Sequence, residues 1–225
     1  MGRLPSMELY ELALKITIFF VPFLFALCFH EFAHGWMAQK RGDDTAKMMG
    51  RLNLNPHSHA DVIGTYVLPL AAIILNWGMF FGWGKPVPVN ERNLKNPKVD
   101  MFWIALAGPL SNILLALIGA FVLVAFNYYG NQVKLAPYII EFFKFFIQIN
   151  AVLAVFNLIP VHPLDGGKVI ARFLSPNANR WMEENQMVLS MILMVAILTG
   201  MMPFIGYFAK FMYGFFISIA QMVII

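Results

Sequence analysis

The sequence predicts an all-α polytopic membrane protein with about five to six transmembrane helices, and three observations predict it. Of the 225 residues, 60% are hydrophobic and only 12% are charged, where a soluble domain carries roughly a quarter. Mean hydropathy is +0.68, and several apolar runs reach the ~20 residues that cross a bilayer. Lysine and arginine collect in the short connections between those runs, as in loops that face the cytoplasm. Several spans leave no room for a large soluble domain. Residues 1–225 therefore read as a single membrane-embedded domain, with a core over 7–170 and two C-terminal spans in 187–225. The net charge of +4 belongs to the loops and does not suggest nucleic acid. Cys28 is the only cysteine, so no internal disulfide forms, and it reads as apolar filler.

The first span covers about residues 7–41. Its beginning, MGRLPSMELYELALK, carries acidic residues, and the apolar run continues too far for a cleaved signal, so the span reads as retained. Pro22 removes a backbone hydrogen bond and is expected to bend it. Toward its end the span carries His30-Glu31-Phe32-Ala33-His34. Positions i and i+4 share a helix face about a turn apart, so both imidazoles can reach one metal ion. Zinc accepts imidazole nitrogen, and a catalytic zinc takes three protein ligands plus a water. Glu31 lies where it can take that water's proton. Ionisable groups in an apolar span are costly without a partner, and they are usually functional.

Next, Arg51-Leu52-Asn53-Leu54-Asn55 alternates polar and apolar residues, which predicts a short strand closed by Pro56. His57, His59 and Asp61 follow. They read as polar loop residues, substrate contacts or supports for a metal ligand. Residues 62–84 are long enough to span, but Pro69, Asn76 and four glycines make them irregular. Lys85-Pro86-Val87-Pro88-Val89-Asn90 cannot be helical and reads as extended. The third span, about 101–128, carries Ala107-Gly108-Pro109-Leu110-Ser111-Asn112 near its start. The fourth, about 138–156, contains Gln148 and Asn150 and ends in the broken stretch Asn157-Leu158-Ile159-Pro160-Val161-His162-Pro163-Leu164-Asp165-Gly166-Gly167. Backbone groups freed there need protein or water partners, which fits a cavity. Residues 168–186 read as a polar loop. Residues 187–202 and 203–225 read as two last spans, with Lys210 reaching for an interface.

The charged loops 40–61, 85–100 and 168–186 all read as cytoplasmic, and 129–137 as external. A single crossing by 62–84 would put two of them on opposite sides. The preferred reading is a segment that dips in and returns, turning near Asn76-Trp77-Gly78. The N-terminus is then outside and the C-terminus inside. His30, His34, Asn112 and Asp165 converge at one depth, toward the cytoplasmic side. Candidates for a third metal ligand are His57, His59, His162, Asp165, Asp43, Asp44 and Asp61. Spacing alone does not choose among them, although the helix breakers and the Gly166-Gly167 pair favour Asp165.

HEFAH at 30–34, GRLNLNPHSHADVIGT at 50–65, FGWGKPVPVN at 81–90, ALAGPLSN at 105–112 and NLIPVHPLDGG at 157–167 together resemble the site-2 protease family of intramembrane zinc metalloproteases, in the subgroup without a PDZ domain. The resemblance implies one zinc per chain, bound by His30, His34 and Asp165, with Glu31 as catalytic base. It also implies that Asn112 lines the site and bonds the substrate or the oxyanion. His59 matches a histidine usual in the subgroup. His162 departs from the usual small or apolar residue, which leaves open a contact to the metal ligands or to the substrate. The implied partners are the lipid bilayer and a membrane protein with a transmembrane segment, cut in regulated intramembrane proteolysis at the cell membrane. A homo-oligomer or a regulatory membrane partner is left open. Gly50–Asn55 and Val87–Asn90 are candidate edges for an extended substrate. Two other readings fit less well. A metal transporter favours repeated halves, which this chain lacks. A membrane zinc hydrolase of the prenyl-protein type wants a later glutamate, and Glu141, Glu183 and Glu184 are poorly placed for that.

Overall fold

The structure is a computed structural model that describes residues 5–77, 81–130 and 132–225. In chain order its helices are α1 (Pro5–Lys15), α2 (Val21–Lys40), α3 (Thr45–Met48), α4 (Pro56–His59), α5 (Leu68–Ile74), α6 (Pro97–Tyr129), α7 (Ala136–Asn157), α8 (Asp165–Ala171), α9 (Pro176–Glu184), α10 (Gln186–Leu198) and α11 (Pro203–Ile224). The π-helical turn Ile16–Phe20 joins α1 to α2, and a second, Val62–Val67, leads into α5. Each ends two residues before a proline, Pro22 or Pro69. An unbroken α-helix would press that ring against the carbonyl four residues back, and the wider turn relieves the clash.

Among the described residues, four helical segments are long and apolar enough to cross a membrane: Glu8–Lys40, Pro97–Tyr129, Ala136–Asn157 and Pro203–Ile224. Their outer faces are apolar. Leu110, Leu114, Ile118 and Val122 form an i, i+4 stripe on α6, each 40–56% exposed, which suits lipid. Inside, small residues bring the helices close. Ala116 and Ala120 of α6 are fully buried against Ile147 of α7 and Phe216 and Ala220 of α11. A second cluster, Phe20, Phe23, Ala26, Leu27, Ile73 and Ile149, packs α2 against α5 and α7.

Residues 62–84 begin and end side by side. The helical stretch Val62–Ile74 is about 20 Å long at 1.5 Å per residue, short of the ~30 Å hydrocarbon core. Asn76 ends it at φ +50°, and Trp77 N–H donates back to the Ala72 carbonyl at 3.1 Å; Gly78, the last residue of the expected turn, lies outside the described residues. The chain then returns beside its own start. Trp83 N–H donates to the Gly64 carbonyl at 3.1 Å, and Lys85 N–H to the His59 carbonyl at 2.9 Å. Gly64 is required here, because a Cβ would sit 2.3 Å from the Trp83 indole. The two ends of the segment therefore lie together, where a segment that dips in and returns would place them.

Three expectations change. Arg51–Asn55 is not a strand. Its polar side chains take up backbone groups instead: Asn53 Nδ2 donates to the Gly50 carbonyl at 2.6 Å, and Asn55 N–H donates to Asn53 Oδ1 at 2.8 Å. Arg51 ties this loop to the extended segment, donating to the carbonyls of Ser58, Pro86 and Lys85 at 2.7–2.9 Å. Among the described residues the only β pairing is one antiparallel bridge, Ala60 with Gly84. Residues 168–186 are two short helices rather than an irregular loop, with Ser175 capping α9 ahead of Pro176. Helix α10 is 13 residues long, again about 20 Å, which is shorter than the span expected over 187–202.

Asp43 locks the loop after α2 to the segment before α6. It is fully buried and accepts from Asn90 N–H and Asn93 Nδ2, both at 2.8 Å, and from the Thr45 backbone and hydroxyl. Burial alone would raise its carboxyl. Hydrogen bonds from the Thr45 hydroxyl, Asn93, Asn90 and the Thr45 N–H outweigh that and hold it below the usual carboxylate range. A lowered folded pKa stabilises above the unfolded value of about 3.9 and stops doing so as pH falls through the folded one. Asp43→Asn is expected to cost about 2 kcal/mol at pH 7. Hydrogen exchange should show residues 86–96 opening faster in the variant, with the gap closing as pH drops below about 4.

Candidate metal centre

Helix α2 sets His30 and His34 one turn apart, and α6 crosses directly behind them. Gly108 makes that crossing close, since a Cβ there would lie 2.4 Å from His34 Nε2 and 2.6 Å from His30 Cε1. Behind the rings, each Nδ1 meets an acceptor. His34 Nδ1 is 2.7 Å from the Ile104 carbonyl, and His30 Nδ1 is 2.7 Å from Asn112 Oδ1. A carbonyl only accepts, so His34 Nδ1 carries the proton. Asn112 Nδ2 donates to the Ala26 carbonyl at 3.0 Å and to Asn150 Oδ1 at 2.9 Å, which turns Oδ1 toward His30 and makes its Nδ1 the donor as well. In the neutral form, the one that can bind a metal, both rings present Nε2 lone pairs forward.

Those lone pairs converge on Asp165. His30 Nε2 and His34 Nε2 are 3.0 Å apart, and Asp165 Oδ2 lies 3.1 Å and 3.2 Å from them. Oδ2 is buried and has no hydrogen-bond donor. Two imidazole nitrogens and a carboxylate oxygen drawn this close make a set that a metal cation can fill. Two imidazole nitrogens with one carboxylate oxygen are a ligand set that zinc accepts. His30, His34 and Asp165 are the group of metal-ligand type found among the described residues, so the donors fit the metal.

Asp165 reaches this point because α8 starts against the turn that ends α7. A Cβ on Gly166 would lie 2.3 Å from the Ile159 carbonyl oxygen, and one on Gly167 would lie 2.6 Å from His162 N. The glycine pair thus allows the backbone approach that carries Asp165 to the histidines.

Glu31 lies beside the triad. Its Oε2 accepts from Val87 N–H at 2.7 Å, which fixes the carboxylate against the extended segment. Glu31, His30, His34 and Asp165 all line one cavity of about 160 Å³, walled by Pro86, Val87, Val89, Ile104 and Leu164 among others. Val89 N–H carries no hydrogen bond among the described residues, and neither does the Val87 carbonyl.

The other sequence candidates lie elsewhere. Asn112 is fully buried behind His30, and both its amide hydrogens are already used, so no donor remains for an oxyanion. His59 is fully buried with Nε2 donating to the Asn53 carbonyl at 2.7 Å. His57 is exposed and bonds the Tyr66 hydroxyl at 2.8 Å. Asp44 accepts from Gln39, and Asp61 caps the second π turn through Ile63 and Gly64 N–H. His162 lines a neighbouring cavity. Sequence reasoning missed what Gly108, the Ile104 carbonyl and Val87 N–H do. Gly108 left a trace, as a glycine inside an apolar helix, and Asn150 left one as a polar residue inside a span.

A model of peptidase family M50 matches residues 18–201. The chain is 42% identical over 157 residues to YwhC of Bacillus subtilis (strain 168), named a zinc metalloprotease, covering 69% of this chain and 68% of that protein. It is 27% identical over 193 residues to Rip2 of Mycolicibacterium smegmatis, also named a zinc metalloprotease, covering 86% of this chain and 70% of that one. No solved structure matches it. With the family model spanning most of its length and a convergent His, His, Asp set packed among apolar helices, the chain belongs to peptidase family M50, the site-2 protease family, and is a multi-pass membrane zinc metalloprotease.

Proposed function

We propose that this chain hydrolyses peptide bonds within or beside the transmembrane segment of a membrane-protein substrate, at the cell membrane, with the active site toward the cytoplasm. The observation that carries this reading is the shared cavity. His30, His34, Asp165 and Glu31 face one space enclosed by helices whose outer faces are apolar. The orientation rests on the positive loops around it.

His30, His34 and Asp165 would hold zinc, which when bound would supply a Lewis acid and lower the pKa of water toward about 7. Glu31 takes the proton of the attacking water and delivers it to the leaving amine. Val87 N–H keeps that carboxylate aimed into the cavity. Asn112 acts on His30: it holds Nδ1–H and so fixes the tautomer and the ring plane. The Ile104 carbonyl does the same for His34. The substrate must be extended, since a helix shields its carbonyls. Val89 N–H and the Val87 carbonyl offer a short free edge for it to pair with. The Gly50–Asn55 half of that edge is absent, because the loop is irregular.

Reconstituted protein is expected to cut a single-span substrate, to lose activity with a zinc chelator and to regain it with added zinc. A purified, zinc-loaded protein that cuts no such substrate would refute the reading. Asn112→Ala is expected to weaken zinc about 10–100-fold, as for other partners of metal-bound histidine. A zinc titration against a chromophoric chelator measures it, with helix content by circular dichroism as the check that the variant is folded.

A further inference from the structure

Beside the metal centre lies a larger cavity of about 490 Å³. Met101 and Lys168 line both cavities, so the two share a wall. Three features mark it as a built site. Lys98, Lys168 and Arg172 all line it, and among the described residues none of them is in an ion pair; Arg172 lies instead over the Phe102 ring at 4.9 Å. His162 lines it while only 7% exposed, and its Nε2 has no hydrogen-bond partner. Asn179 of α9 lines it too. Its Nδ2 donates to Glu183 Oε1 at 2.6 Å, while its buried Oδ1 has no partner. Buried polar groups are normally satisfied, and here the partners have to come from outside the fold.

We infer that this cavity is a subsite for the substrate chain on one side of the cut, and that it selects an acidic side chain there. The inference rests on the peptidase reading above. A peptide supplies what the lining lacks: a carboxylate for three cations and backbone N–H donors for Asn179 Oδ1. A lipid phosphate brings negative charge without those donors, and with Glu91 and Glu183 also in the lining the three cations leave a small net positive charge, which suits a single carboxylate better than a phosphate. The shared wall favours the peptide further, because an extended chain leaving the metal centre past Met101 and Lys168 enters this space within a few residues.

The test uses the full-length protein in vesicles. The residues flanking the cut of a single-span substrate are replaced one at a time by Glu and, separately, by Gln. Glu is expected to exceed Gln roughly tenfold in kcat/KM at one or two adjacent positions, as for a charge-assisted contact, and at no others. Arg172→Glu and Lys98→Glu should each reduce that ratio to near one or shift the preference to Lys. Each ratio is taken within one protein, so a partial loss of folded enzyme cancels. A flat ratio at every position overturns the inference while cleavage itself upholds the peptidase. A tenfold ratio that survives both variants overturns it as well. If cleavage instead requires phosphatidylglycerol over phosphatidylcholine, and Arg172→Glu removes that requirement, the cavity holds a lipid phosphate and the inference falls. A zinc-loaded wild type that cuts nothing removes the peptidase reading, and this inference with it.

Discussion

Glu31→Gln will stop cleavage of a single-span substrate while zinc stays bound. The substitution keeps the shape of the side chain, and its amide oxygen still accepts from Val87 N–H, which lies 2.7 Å from Oε2 in the wild type. It touches none of the three acceptors that converge between α2 and α8. What it removes is a group able to hold a proton, and a lost general base costs about 10²–10⁴-fold in rate. Rate and zinc content are measured on the same preparation. Cleavage retained within a few-fold of wild type would remove Glu31 from the mechanism; loss of zinc would mean that Glu31 supports the ligands instead.

Gly108→Ala is expected to remove the metal from an otherwise folded protein. The new methyl would lie 2.4 Å from His34 Nε2 and 2.5 Å from its Cε1. Real Cβ atoms do not approach so closely, so a ring turns away or α6 moves back. Either movement separates Nε2 from Asp165 Oδ2, which now lies 3.2 Å away. Zinc content should fall from one per chain to near zero, with helix content by circular dichroism unchanged. Gly214→Ala is the control, because a Cβ there meets nothing within 4 Å. Full zinc occupancy in Gly108→Ala would mean that the helices are less tightly crossed than described.

Both expectations lean on residues of unequal legibility. His30, Glu31 and His34 could be read directly, because helical spacing is a local property and the run around them is apolar. Spacing could rank Asp165 but not choose it among seven candidate side chains, and the family resemblance made the choice. Asn112 was legible as a polar residue facing the site, but not its task. Whether an amide serves a substrate or a histidine depends on where Ala26 and Asn150 place their oxygens, 86 and 38 residues away along the chain. The alternation in Arg51–Asn55 pointed to a strand because period alone ignores side chains that bond their own backbone. The guanidinium of Arg51, held on carbonyls 34 and 35 residues further along, then shapes the loop.

By itself the sequence determined the membrane setting, the order of the main helices and the pair of histidines on one face with a glutamate between them. Length, hydropathy and period are properties of single segments, and single segments carry them. Only the tertiary structure decided which nitrogen of each imidazole faces forward, what Asn112 bonds and how closely the two ends of the 62–84 segment lie. Those outcomes rest on close backbone crossings at Gly108 and Gly166 and on hydrogen bonds between distant segments, and such contacts exist only once the helices are packed.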